Sequence, residues 1–272
     1  MKIHHLNYAS LCLPKAPFSK KPLAHLVCHG LLVEGQKGLI LLDTGLGRSS
    51  LGAYLGLMEQ FGRQWLEHLS LKPSSAREEV IRLGFKPKDI QHILLTHLDF
   101  DHAGGIEDFP NAKVHLLKKE WSAHERPNSL KEKQRYALCR AQKTSQWQLY
   151  DHFGESWFGF EAVRDLKGLP PEILMIPLAG HSFGHAGYAI KTSESGWIFH
   201  VGDAYFHQNQ AKIRQPSCPY LLEKYQRSLA WDERSWEYNI ERIRNLKKNR
   251  KKQDTLEVFC AHDPSELERY AP

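Results

Sequence analysis

The chain has 272 residues, 41% hydrophobic and 25% charged, with a formal net charge of +6. That length is above the average domain but within reach of one multilayered α/β unit, and the apolar content supports a sizeable core. No apolar run approaches the roughly 20 residues of a membrane helix, and the start, Met1-Lys2-Ile3-His4-His5-Leu6-Asn7, lacks the apolar stretch of a secretory signal.

In chain order, Leu23 to Val33 and Leu39 to Asp43 read as strands joined by the hairpin loop Glu34-Gly35-Gln36-Lys37-Gly38. Residues 46 to 73, rich in Gly and Leu, are expected to form a helical or mobile excursion near the site. Ser75-Ala76-Arg77-Glu78 is a capping box opening a helix that Gly84 stops. Ile90 to Leu95 is apolar and partly β-branched, as a buried strand requires. Val114 to Leu117 is a short strand and Lys118 to His124 a helix. Ile173 to Pro177, Tyr188 to Lys191 and Trp197 to Val201 are further strands. Trp231 to Leu246 carries Trp236, Ile240, Ile243 and Leu246 at helical spacing, and Asp263-Pro264-Ser265-Glu266 caps a last helix. With no repeat or low-complexity linker, residues 1–272 are expected to form a single domain.

The most informative stretch follows the strand at 90–95. Thr96-His97-Leu98-Asp99-Phe100-Asp101-His102-Ala103-Gly104-Gly105 places four metal-capable side chains within six residues. At a strand end, His97 and Asp99 point the same way, while Asp101 and His102 can turn towards a second point. Imidazole with carboxylate suits a divalent cation such as zinc, manganese or iron.

This decapeptide resembles the His-x-His-x-Asp-His ligand motif of the metallo-β-lactamase superfamily. The resemblance runs almost end to end. Gly38 to Gly45 is similar to the early strand closing on Asp-Thr-Gly, and Pro177 to His185 to the Gly-His-Ser/Thr-x-Gly-His loop. Val201-Gly202-Asp203-Ala204 resembles the strand end with the bridging Asp, and Phe259 to Asp263 the last His-bearing strand. Order and spacing look closest to the quorum-quenching lactonases and related small hydrolases. The resemblance implies a four-layer αββα sandwich.

It also implies a site. His97, Asp99 and His181 would hold one divalent metal ion; Asp101, His102 and His262 a second; Asp203 would bridge both. His185, four residues after His181, would support rather than ligate, and Asp43 would orient a ligand imidazole. The hydrolytic mechanism would use a hydroxide bridging the two cations, with Asp101 handling its proton. In the lactonases a Tyr three residues past the bridging Asp assists the substrate oxygen. Here that place is Phe206, and Tyr205 is the nearest phenol that could substitute.

Asp99 stands where most of the superfamily has His. Carboxylate is a harder donor, so the first site should lean towards iron or manganese more than a three-His zinc site does. The superfamily's di-iron flavoproteins carry Glu there, but this chain has no flavodoxin-like half, so their redox function does not carry over.

The reaction expected is hydrolysis of a small ester, lactone or thioester. Phosphodiesterase or nuclease chemistry on the same fold is the alternative, and a non-catalytic binding descendant is disfavoured by the near-complete ligand set. Residues 147 to 160 hold six aromatics in fourteen positions. They read either as core packing or, within an insertion around 125–165, as a wall for an apolar substrate portion or a homodimer contact. The basic run Lys247 to Lys252 reads as a solvated helix end rather than a nucleic-acid site. Five scattered cysteines form no CxxC pair and their number is odd, which points to a reducing cytoplasm.

Overall fold

Neighbouring residues of one strand fill two different cores, and this alternation sets the architecture. The computed structural model describes residues 1–12, 24–36, 38–47, 75–137, 139, 146–151, 154–163, 165–249 and 255–270. The excursion expected at 46–73 lies almost wholly outside them.

A first sheet has the order β1 (Lys2–Cys12), β2 (His25–Gly35), β3 (Gly38–Leu42), β4 (Ile90–Leu94), β5 (Lys113–Leu117) and β6 (Trp147–Tyr150). The first three run antiparallel, and β3 to β6 are parallel neighbours. A second sheet has the order β12 (Thr255–Phe259), β11 (Gly196–His200), β10 (Ala186–Lys191) and β9 (Ile173–Pro177); β7 (Glu155–Trp157) and β8 (Phe160–Ala162) form a separate hairpin.

Leu31, Val33, Ile40, Leu42 and Leu94 of the first sheet meet Ile173, Met175, Tyr188, Ile190, Ile198 and Phe259 of the second, closing an inter-sheet core. Their sequence neighbours Leu32, Leu41 and Ile93 point to the outer face, where they pack with Ala76 and Val80 of α1 (Ala76–Arg82). Period-two alternation on strands buried on both faces demands this division. The outer face of the second sheet is covered by Trp236, Ile240, Ile243 and Leu246 of α6 (Glu233–Asn249), as their spacing predicted. The result is the expected four-layer αββα sandwich. Among the described residues, no helix is long and apolar enough to cross a membrane.

Several expected boundaries hold closely. Ser75 and Glu78 form the capping box of α1, and Asp263 caps α7 (Pro264–Glu268) with proline in its first turn. The remaining helices are α2 (Phe100–Ala103), α3 (Lys118–Glu125), α4 (Leu130–Arg135) and α5 (Tyr220–Leu229). β1, α4 and α5 were not anticipated.

The aromatic stretch resolves mainly towards packing. Trp147 packs against the outer core and lies 4.7 Å from the Trp121 ring. Tyr150 accepts the Lys167 amide and pairs with His115. Trp157, 4% exposed, sits among Phe160, Trp197 and Phe199 beneath the second sheet, while Phe158 remains exposed. An indole so enclosed is a structural residue. Trp157→Ala should therefore cost about 3–5 kcal/mol of stability, read from chemical denaturation. A change below about 1 kcal/mol would show that the ring is not part of the core.

Candidate metal centre

All seven expected ligands lie beyond the carboxyl ends of strands, which is where the two sheets' loops meet. β4 leads into His97, Asp99 and α2; β9 leads to His181; β11 leads to Asp203; β12 leads to His262. The Ala186 amide donates to the Thr96 carbonyl at 2.9 Å, tying loops of the two sheets together, and Ala261 to Gly202 at 3.0 Å, tying the neighbouring ends of β11 and β12.

Asp203 occupies the centre. Its Oδ2 is 3.8 Å from His97 Nε2, 3.3 Å from His181 Nε2 and 3.1 Å from His262 Nε2, while Oδ1 is 3.2 Å from His102 Nε2. Asp99 Oδ2 lies 3.0 Å from His181 and 3.4 Å from His97; Asp101 Oδ2 lies 3.6 Å from His262 and 3.9 Å from His102. Two three-donor sets, His97/Asp99/His181 and His97/His102/Asp203, each have ligand atoms within 4.8 Å of one another. His97 Nε2 is buried and has no hydrogen-bond partner among the described residues. A buried imidazole nitrogen without a partner, facing carboxylates, fits a cation as its missing partner.

The outer nitrogens of His102 and His262 are fixed so that their inner ones face this centre. Asp43 Oδ2 accepts from His102 Nδ1 at 2.8 Å, and the Val27 carbonyl accepts from His262 Nδ1 at 2.7 Å. Asp43 takes a left-handed φ of 56°, which Asp tolerates better than most residues, and it also accepts the Thr96 amide at 2.8 Å. The expectation that Asp43 orients a ligand imidazole is met at His102.

Charge follows the same geometry. Burial would lower the His102 pKa, but the Asp203, Asp101 and Asp43 carboxylates outweigh it and hold that pKa well above the ordinary value. Burial would raise Asp203 and Asp99. The imidazoles of His262, His102 and His181 around Asp203, and Arg135 and His97 beside Asp99, keep both well below the usual carboxylate range. Burial, aided by Arg135, brings His181 down to about 4, so its nitrogen stays neutral and able to donate a lone pair.

His185 does not join the ligands. Its Nδ1 donates to the Leu178 carbonyl at 2.9 Å, and its Nε2 accepts the Asp203 amide at 2.9 Å. Both nitrogens are therefore committed, and the ring fixes the backbone of the central carboxylate. Gly202 permits this approach: its φ is +53°, and a Cβ there would stand 2.5 Å from His185 Nε2.

Tyr205 departs from expectation. Its hydroxyl points away into the core and donates to the buried Glu266 carboxylate at 3.1 Å. Phe206 turns towards the cluster instead, with its ring 4.6 Å from His262 and 6.0 Å from His181. Successive residues leaving a strand face opposite ways, so a phenol displaced by one position lands on the wrong side. The structure gives Tyr205 a packing role.

Three participants escaped the sequence reading. Arg135 of α4 places Nε 2.9 Å from Asp99 Oδ1, with Nη1 donating to the His181 carbonyl at 2.6 Å and Nη2 to Leu229 at 2.7 Å. Glu120, fully buried in α3, accepts from the Leu98 amide, the Tyr136 hydroxyl, the Ser182 hydroxyl and the Gly184 amide, at 2.7 to 3.2 Å. It thereby clamps the first ligand loop to the second. The third is Cys28 of β2, whose Sγ lies within 4.8 Å of ligand atoms of Asp101 and His262. Arg135 could have been sought, since a carboxylate replacing an imidazole asks for a counter-charge. Glu120 looked like an ordinary first-turn acid.

A family model for the metallo-β-lactamase superfamily matches residues 25–247. A probable metallo-hydrolase of Mycobacterium tuberculosis is 34% identical over 272 residues, covering 97% of this chain and 81% of that protein. An N-acyl homoserine lactonase of Bacillus thuringiensis is 25% identical over 236 residues, covering 85% and 79%. Among solved structures, an N-acyl homoserine lactone hydrolase with the product N-hexanoyl-L-homoserine at its catalytic metal centre has a TM-score of 0.65 at 20% identity, over 99% of this chain and 95% of that one. A probable metal-dependent hydrolase from Staphylococcus aureus gives 0.69 at 20% identity, over 96% and 89%. The chain belongs to the metallo-β-lactamase superfamily. Its relatives and structural neighbours include metallo-hydrolases and lactonases.

The roles of the two histidines in the second loop separate experimentally. On the expected ligand assignment, His181→Ala removes a donor and should empty or cripple the first metal position. His185→Ala should lower activity while metal content stays near that of the wild type. Elemental analysis of both variants decides this; equal metal loss would mean that His185 also binds.

Proposed function

We propose that this protein is a dinuclear metal-dependent hydrolase of small carboxylic esters, lactones or thioesters. The observation that carries the reading is the convergence of four imidazoles and three carboxylates with Asp203 between them, in a chain related to lactonases. His97, Asp99 and His181 would hold one cation and Asp101, His102 and His262 the other, with Asp203 shared. Bound there, divalent cations acidify a water and polarise the substrate carbonyl.

The chain's own groups supply the rest. Asp101, 14% exposed at its side chain, is the carboxylate placed to take a proton from the attacking water at Oδ2 and return it to the leaving group. Phe206 presents an apolar surface beside His262 and His181, which favours a substrate with an apolar portion and limits water there.

Carbonyl chemistry is preferred to phosphoryl transfer on one specific ground. A phosphoryl group's spread negative charge calls for free cationic donors. Among the described residues, the guanidinium that reaches this cluster, Arg135, is already committed to Asp99, His181 and Leu229.

Two measurements test the proposal. Protein purified without added metal should contain close to two metal equivalents, at least part of it iron or manganese, because Asp99 hardens the first position. One tightly held zinc, with no gain in activity from a second metal, would overturn the dinuclear reading. In a panel of lactones, thioesters, simple esters and bis(p-nitrophenyl) phosphate, turnover should fall on the carbonyl substrates. Asp101→Asn should reduce that turnover by roughly 10²–10⁴-fold. Efficient phosphodiester cleavage with no carbonyl substrate turned over would favour a phosphodiesterase.

A further inference from the structure

We propose that Cys28 is a thiolate donor to the second cation, making the two metal positions chemically unequal. The inference rests on the dinuclear reading above and concerns a residue outside the expected ligand set.

The geometry begins with β2. Val27 and His29 on either side of Cys28 are bonded to the strand end that carries His262. The Val27 amide donates to the His262 carbonyl at 3.3 Å, the His29 amide to the Ala261 carbonyl at 2.8 Å, and the Val27 carbonyl accepts His262 Nδ1. Cys28 is thus held in register with a ligand histidine by three hydrogen bonds. Its side chain is 3% exposed, and its Sγ, an Asp101 oxygen and a His262 nitrogen all lie within 4.8 Å of one another. Donors around one cation at 2.0 to 2.3 Å stand roughly 3 to 3.6 Å apart when adjacent and up to about 4.6 Å when opposite, so a closure of about an ångström brings all three onto one cation. His102 Nε2, 3.3 Å from His262 Nε2 and 3.9 Å from Asp101 Oδ2, supplies the fourth donor. With Asp203 shared, two imidazoles, two carboxylates and a thiolate surround the second cation, one donor more than the expected ligand set supplies.

Among the described residues, Cys28 Sγ has no hydrogen-bond partner, while its backbone amide is bonded to Asn7 Oδ1 at 3.2 Å. A thiol serving only as a small apolar filler has no need to face two ligands. As a donor it would release its proton to solvent when the cation binds.

The consequence is an ordered asymmetry. Asp99 makes the first position harder, and Cys28 makes the second softer. The first then prefers manganese or iron and the second zinc.

Cobalt(II) is a suitable probe, because its visible ligand-field bands report any bound cobalt and a near-ultraviolet thiolate-to-cobalt band reports sulfur alone. Metal-free protein prepared by chelation is titrated with cobalt chloride. The wild type should show both features, with the sulfur band saturating at one of the two equivalents. Cys28→Ser should keep ligand-field bands and lose the sulfur band entirely. Cys28→Ala serves if the serine variant does not fold, and circular dichroism checks both. Ligand-field bands without a sulfur band in the wild type overturn the role of Cys28 while leaving the metal centre intact. A sulfur band surviving in a folded Cys28 variant also overturns it, since another cysteine must then be the source. Failure of cobalt to bind the wild type at all removes the dinuclear reading itself and this inference with it.

Discussion

Four aspartates crowd one buried corner of this molecule, and the arrangement around them answers that crowding. Asp43, Asp99, Asp101 and Asp203 all approach imidazoles of one cluster, and Asp43 and Asp203 are almost wholly enclosed. Unpaired carboxylates at such separations repel strongly in a medium of reduced polarity. The fold surrounds them with His97, His102, His181, His262 and one guanidinium, and the donor set that remains calls for divalent positive charge. Stability and chemistry therefore meet at one point: the charge that holds the corner together is also the charge that would activate a substrate.

The corner must also be held rigidly, because its parts come from both sheets. Glu120 performs this by accepting from two ligand loops at once, at Leu98 on one side and Ser182 and Gly184 on the other. Gly184 belongs to this contact by necessity, since a Cβ there would stand 2.1 Å from the Glu120 amide. Asp43 and Thr96 fix the first loop from beneath, and His185 fixes the backbone of Asp203. His102 and the backbones around Leu98, His181 and Asp203 are thus held by neighbours whose own places are determined by packing, as a preorganised site requires.

What the sequence disclosed and what it hid divide by the range of the interaction involved. The hairpin of Leu23 to Val33 and Leu39 to Asp43, the capping box at Ser75 and the helical stripe from Trp236 to Leu246 are local patterns, and each became the element expected. The convergence of the seven candidate ligands was legible because strand ends place them by short motifs. Arg135 is separated from Asp99 by 36 positions, and Glu120 from Gly184 by 64. No local pattern announces such partners. Tyr205 failed for a different reason: the side of a strand end a residue faces changes with a shift of one position, and motif similarity does not resolve that. Residues 147 to 160 stayed open between two readings because an aromatic-rich segment looks alike whether it lines a pocket or fills a core.

The pairing of Asp99 with Arg135 gives the substitution at that position a physical sense. Replacing a neutral imidazole by a carboxylate adds a negative charge, and a nearby guanidinium removes it again. The two oxygens divide the work: Oδ1 faces Arg135 at 2.9 Å, and Oδ2 faces His181 at 3.0 Å and His97 at 3.4 Å. One oxygen is spent on neutralisation and the other remains for a cation. Net charge at the first position then equals that of a three-imidazole site, while the donor atom becomes oxygen in place of nitrogen. Hardness and charge, which ordinarily change together when His gives way to Asp, are separated here. A cation held there would meet a harder donor atom without added negative charge, and lysine could not take the arginine's place, because the planar fork also ties the carbonyls of His181 and Leu229.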